Sequence, residues 1–232
     1  MSPKGVGKMK RKFEKAKDPG SAVTHFIGML MAIFSSVALL IRAAKNPGYV
    51  HTVSLAIFII SMILLYFAST IYHTLNISEK VNQRLRKLDH MMIYVLIAGT
   101  YTPICTIALN GIVGIALLCI IWGLAIVGII ITGFWVNSPK WLSSAVYIAM
   151  GWTCVLAFTQ IINSLPTKAF YWLLAGGIIY TVGGIIYALK LPIFNNKHKY
   201  FGSHEIFHLF VMGGSICHFI LMYKYIAVMP FT

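Results

Sequence analysis

A chain of 232 residues with 59% hydrophobic and 10% charged residues and a mean hydropathy of +0.81 lies far from a soluble domain, in which about a quarter of residues are charged. Its formal net charge of +14 would suit a nucleic-acid partner, but the basic residues fall in a tail and short loops rather than on one folded face, so none is expected. Outer-membrane barrels are excluded too, because the apolar runs approach the roughly 20 residues of a membrane-crossing helix and lack the alternation of barrel strands.

The expected fold class is therefore an all-α membrane protein, a seven-helix transmembrane bundle: a basic tail over 1–20, then a membrane domain over 21–232. The tail carries Lys4, Lys8, Lys10, Arg11, Lys12, Lys15 and Lys17 and can lie against anionic headgroups at about 1 kcal/mol per basic residue. The first span, 21–42, holds His25; it is too long for a signal-peptide core and lacks a small-residue cleavage site, so it should stay attached. The second, 50–75, ends with Ser69 and His73, four residues apart and on one helical face. The third, 88–109, opens on Asp89 and His90. The fourth, fifth and sixth, 111–135, 141–163 and 168–189, are separated by tight turns at Asn110-Gly111, at Pro139 and at Pro166, which makes neighbours antiparallel. The seventh, 203–228, opens on His204, Glu205 and His208. Cys105, Cys119, Cys154 and Cys217 all fall in apolar segments at no ligand spacing and read as packing residues without disulfides.

With the N-terminus placed in the cytoplasm, fifteen of the nineteen Lys and Arg residues fall on that side, and only Arg42, Lys45, Lys168 and Lys224 on the other. Short basic loops stay inside, so the orientation is N-terminus in and C-terminus out, in the plasma (inner) membrane, the reverse of a G-protein-coupled receptor.

In that orientation His25, Ser69, His73, Asp89, His90, His204, Glu205 and His208 all enter the membrane at one level, its cytoplasmic edge. Each is weak alone. Chance alone supplies roughly 0.3 His pairs at i, i+4 in such a chain, and a lone His25 or His73 reads equally well as a hydrogen-bonded bundle histidine. Convergence changes this: His73, His204 and His208 supply the three nitrogens of a catalytic zinc site with one position left for water. Asp89 could orient or deprotonate that water, and Ser69 could support a ligand or a reacting carbonyl. Copper, iron and nickel also suit imidazole. Glu205 points about 100° away from His204 around its helix, so a loop partner such as a lysine is expected for it. His51 and His198 read as interfacial, and His218 lies ten residues past His208. Trp141, Tyr171, Trp172, Tyr223 and Tyr225 sit near span ends, as interface anchors do.

Taken in order, Thr24-His25, Ser69 with His73, Leu88-Asp89-His90, Gly99 to Pro103 (GTYTP) and His204 with His208 resemble the hemolysin III branch of the progestin and adipoQ receptor (PAQR) family, through essentially all seven spans. The resemblance implies a cytoplasmic N-terminus and a zinc ion near the inner leaflet. It makes His73, His204 and His208 the ligands, Asp89 the acid that holds the water at the metal, and Ser69 the motif serine beside them. Eukaryotic receptor members are similar to ceramidases, which hydrolyse a lipid amide; bacterial members carry the name hemolysin, and some are linked to membrane-fluidity homeostasis. Where the bacterial first block usually has Glu seven residues before the TH histidine, this chain has Asp18.

The leading expectation is a zinc-dependent hydrolase of a lipid amide or ester at the cytoplasmic leaflet, with membrane lipids as substrate or ligand. Its rival is a non-enzymatic regulator of lipid state, or a receptor-like protein, in which the metal only staples the second and seventh spans. A pore-forming hemolysin has the least support, since no amphipathic pore-lining repeat or secretion signal is seen. Substrate identity and oligomeric state stay open.

Overall fold

The computed structural model describes residues 16–46, 48–189 and 202–230. The basic tail up to residue 15, and the 190–201 connection with His198, lie outside the described residues. Seven helices are long and apolar enough to cross a membrane, and no strand occurs among the described residues. They are α1 (Pro19–Ala43), α2 (Val50–Thr74), α3 (Glu79–Pro103, continued by a π-helical turn Ile104–Ala108), α4 (Ile112–Phe134), a broken span made of α5 (Lys140–Gly151), a 3₁₀ segment (Trp152–Ala157) and α6 (Phe158–Ser164), then α7 (Thr167–Leu189) and α8 (Ser203–Lys224).

The predicted spans agree with these within a few residues except at the start of α3, which begins at Glu79 rather than 88. Ser78 explains the difference: its hydroxyl accepts the Val81 amide at 3.4 Å, an N-cap that satisfies a donor the helix leaves open. The first turns behind it are polar, EKVNQRLRK, so hydropathy alone passes over them.

α1 packs on α2, α2 on α3, α3 on α4, α5 on α7, α7 on α8, and α8 back on α1. α2, α3 and α8 bury the largest shares of their apolar windows, while α1, α4, α5 and α7 bury far less. Phe34, Ile112, Phe134 and Leu156 point outward and exposed, as a lipid-facing surface requires. The densest packing lies away from the histidines: Leu39, Leu55, Phe58 and Ile59 are almost wholly buried, as are Leu221, Met222 and Ile226 at the far end of the last span. His51, expected at an interface, belongs to that buried end and hydrogen-bonds the Met229 carbonyl at 2.8 Å.

The GTYTP stretch supplies joinery. Thr100 and Thr102 donate back to the carbonyls of Leu96 and Ala98. The Trp122 indole donates to Thr102 Oγ1 at 3.1 Å, tying α4 to α3. Tyr101 reaches into the fifth span, where its hydroxyl donates to Gly151 O at 2.6 Å and accepts the Cys154 amide at 2.8 Å. Gly151 immediately precedes the 3₁₀ segment and Cys154 lies within it, so a tertiary side chain takes up backbone capacity that a broken helix leaves open in an apolar medium. All four cysteines are free.

Candidate metal centre

Four chain segments meet at one site: the start of α1, the end of α2, α3 around Asp89 and His90, and the start of α8. Here the imidazoles of His73, His204 and His208 form a triangle with ring centroids 4.9, 5.1 and 4.6 Å apart. One ligand atom from each lies within 4.8 Å of the others. His73 and His208 are almost fully buried. His204 Nε2 stands 3.2 Å from His73 Nε2, close to the separation of about 3.3 Å that follows from tetrahedral N–Zn–N geometry at 2.0–2.1 Å per bond. The Nδ1 atoms of His204 and His208 are buried with no hydrogen-bond partner. Three imidazoles that bring a nitrogen each within 4.8 Å of the others, two of them carrying a further open nitrogen, are costly in a protein interior and fit a cation between them.

His73 is held from behind. Its Nδ1 lies 3.0 Å from Asp18 Oδ2, and its backbone carbonyl accepts the Asp18 amide, also at 3.0 Å. With Nδ1 carrying the proton toward the carboxylate, Nε2 is left as a lone pair facing the other two rings, the carboxylate–histidine arrangement that orients metal-ligating imidazoles. Asp18 stands at the N-cap of α1, ahead of Pro19, yet makes no side-chain cap. One of the best capping side chains is thus diverted from the helix to the histidine. Sequence reasoning left Asp18 without a role; the available signal was a carboxylate at the point where a basic tail meets an apolar helix. Substituting Asp18 with Ala is expected to weaken metal binding by about 10–100-fold, the usual cost of losing such a partner, measured by competition against a chelator of known affinity. Asp18→Asn, which keeps an acceptor, should fall between.

The remaining residues line the same cavity, of about 210 Å³. His25 stacks on His208 at 3.7 Å with 12° between planes, meets Tyr66 edge-on at 5.0 Å, and has both nitrogens buried and unpartnered. Asp89 and Ser69 are buried on its wall. The Ser69 hydroxyl makes no hydrogen bond of ordinary geometry, with the Asp89 carboxylate as its polar neighbour. His90 lines the wall beside them. The two oxygens of Glu205 accept Ser21 Oγ at 3.0 Å and the Gly202 amide at 2.8 Å, while the lysines of the adjoining 190–201 loop lie outside the described residues. Glu205 therefore caps α8 and ties it to α1.

A seven-helix bundle with this histidine triangle can be compared with known proteins. The family model described as "Haemolysin-III related" matches residues 13–219. The chain belongs to the haemolysin III-related family. Two relatives span nearly its whole length: the hemolysin-3 homolog of Bacillus subtilis (strain 168), 40% identical over 219 residues covering 94% of this chain and 99% of the relative, and hemolysin-3 of Bacillus cereus, 40% identical over 221 residues covering 94% and 96%. A progestin and adipoQ receptor-like protein of Caenorhabditis elegans is 27% identical over 229 residues, covering 87% of this chain and 50% of the relative. This haemolysin III-related chain is thus an integral multi-pass membrane protein whose more distant likeness extends to the PAQR receptors.

Proposed function

We propose that the protein is a zinc-dependent membrane hydrolase acting on a lipid amide or ester at the cytoplasmic leaflet of the plasma membrane. The observation that carries the reading is the set of converging imidazole nitrogens of His73, His204 and His208, the last two lining a largely apolar cavity that also holds the Asp89 carboxylate and the Ser69 hydroxyl. His73, His204 and His208 would hold the ion, with Asp18 fixing the tautomer of His73. A zinc ion bound there would supply a Lewis acid for the scissile carbonyl and water made acidic enough to ionise near neutral pH.

The chain's own residues do the rest. Asp89, buried at the cavity wall, accepts the proton of the attacking water and returns it to the leaving group, the two-way role of a general acid–base. Ser69 Oγ, uncommitted to any other acceptor, donates a hydrogen bond either to the Asp89 carboxylate or to the substrate carbonyl. The apolar wall formed by Leu96, Ile97, Leu173 and Val211 receives acyl chain and keeps bulk water from the reacting bond.

The alternative, a metal staple in a lipid-state regulator, uses the same histidines but has no use for Asp89 and Ser69 on the cavity wall. Purified protein with about one zinc per chain, incubated with long-chain ceramides and acyl esters in nanodiscs, should release fatty acid. Full zinc occupancy with no release from any of them would leave the staple as the better reading.

A further inference from the structure

The cavity does not end at the histidine triangle. It continues along α8 to a second polar group, formed by Tyr180 on α7 and His218 on α8. His218 is ten residues beyond His208 on one continuous helix, which places it about 15 Å deeper, near the middle of a hydrocarbon layer about 30 Å thick. The imidazole is 5% exposed and stacks on the Tyr180 ring, centroids 5.4 Å apart and planes 18° apart. Its Nδ1 is buried with no hydrogen-bond partner. Gly176 is what lets the ring sit there: a Cβ at that position would come within 2.6 Å of His218 Nε2.

Packing accounts for a ring at this place but not for its nitrogens. A phenylalanine would offer Tyr180 the same stacking face without leaving a buried polar atom open, a defect that ordinarily destabilises a fold. The neighbouring polar groups are already paired with one another: Tyr66 donates to Ser215 Oγ at 2.7 Å, and the Tyr180 hydroxyl shares a 2.9 Å hydrogen bond with the same oxygen. If Ser215 gives its single proton to Tyr180, the Tyr180 proton is freed toward the cavity beside His218. The deep end therefore holds an imidazole with an open nitrogen, and a phenol able to join it, on the wall of a largely apolar space.

We infer that His218, assisted by Tyr180, is a hydrogen-bonding station for a hydroxyl group carried partway down the acyl chain of the cavity's ligand, so that the protein selects hydroxylated over unsubstituted chains. The inference rests on the proposed seating of the lipid's reacting end at the histidine triangle, because that seating brings mid-chain to His218. It names a chain specificity, which the metal centre alone does not supply.

The test compares two probes on full-length protein in nanodiscs: stearic acid, and the same acid bearing a mid-chain hydroxyl, each displacing a fluorescent fatty acid. Wild type should bind the hydroxylated acid about tenfold tighter, the ratio expected from one satisfied buried hydrogen bond. His218→Leu should erase that preference while leaving affinity for stearic acid within about twofold, and His218→Gln should restore part of it. Equal affinities in wild type, or a preference that survives in His218→Leu, would overturn the inference. Should His218→Leu not fold, the wild-type pair still decides. Zinc content is measured on the same samples, which separates the two readings. Zinc-loaded protein without chain preference ends the specificity alone. Preference in protein that cannot hold zinc ends the metal reading alone.

Discussion

Replacing His208 with alanine should take the purified protein from about one zinc per chain to nearly none. His208 comes from the same helix as His204, one turn on, and its ring forms one side of the triangle with His73 on α2. Losing it leaves two nitrogens, and two-imidazole sites do not hold zinc in structural or catalytic centres. An ion held there would also couple elements far apart in sequence, so its loss should appear as stability. At free zinc about a thousandfold above Kd, binding contributes about 4 kcal/mol, and for a chain of this size that corresponds to a fall in Tm of about 10 °C. Elemental analysis and a melting curve check both; the chelator-treated wild type should melt with the variant. Full zinc in His208→Ala, or a chelator-insensitive melting point, would show that the triangle holds no ion.

The other large effect is expected at Asp89. Asp89→Asn preserves size and burial but cannot accept a proton, so fatty-acid release should fall by about 10²–10⁴-fold, the usual weight of a positioned acid–base group, while zinc content stays at the wild-type level. Ser69→Ala should cost less, about tenfold, since it removes one hydrogen bond. The split between metal content and turnover is the informative part. A staple predicts that both substitutions leave every measured property other than folding untouched. A substitution at Asp89 that instead ejects the metal would move the carboxylate from proton transfer to coordination.

Much of this architecture was legible in the chain because a bilayer enforces simple rules. Seven apolar runs had to be helices, and the alternation of their directions carried the polar residues of spans one, two, three and seven to one level; the helices bring His25, Ser69, Asp89, His204 and His208 onto a single cavity, with the His73 ring against those of His204 and His208. What stayed hidden depended on contacts rather than on hydropathy. The early start of α3 depends on Ser78 and on polar turns that no apolar count registers. The 3₁₀ break of the fifth span depends on the Tyr101 hydroxyl arriving from another helix. Asp18 fell within a solvated tail, and only the fold puts it against His73. The contacts of Glu205 with Ser21 and Gly202 depend in the same way on how α1 meets the start of α8.

The pair of hydrogen bonds between Asp18 and His73, carboxylate to ring and amide to carbonyl, acts as a tether from the start of α1 to the histidine triangle. Anything that displaces the start of α1, such as a fusion partner or a surface joined close to Asp18, moves the His73 imidazole with it. Affinity tags and optical reporters therefore belong at the trailing terminus, and preparations anchored by the leading one should be read with their ion content in hand.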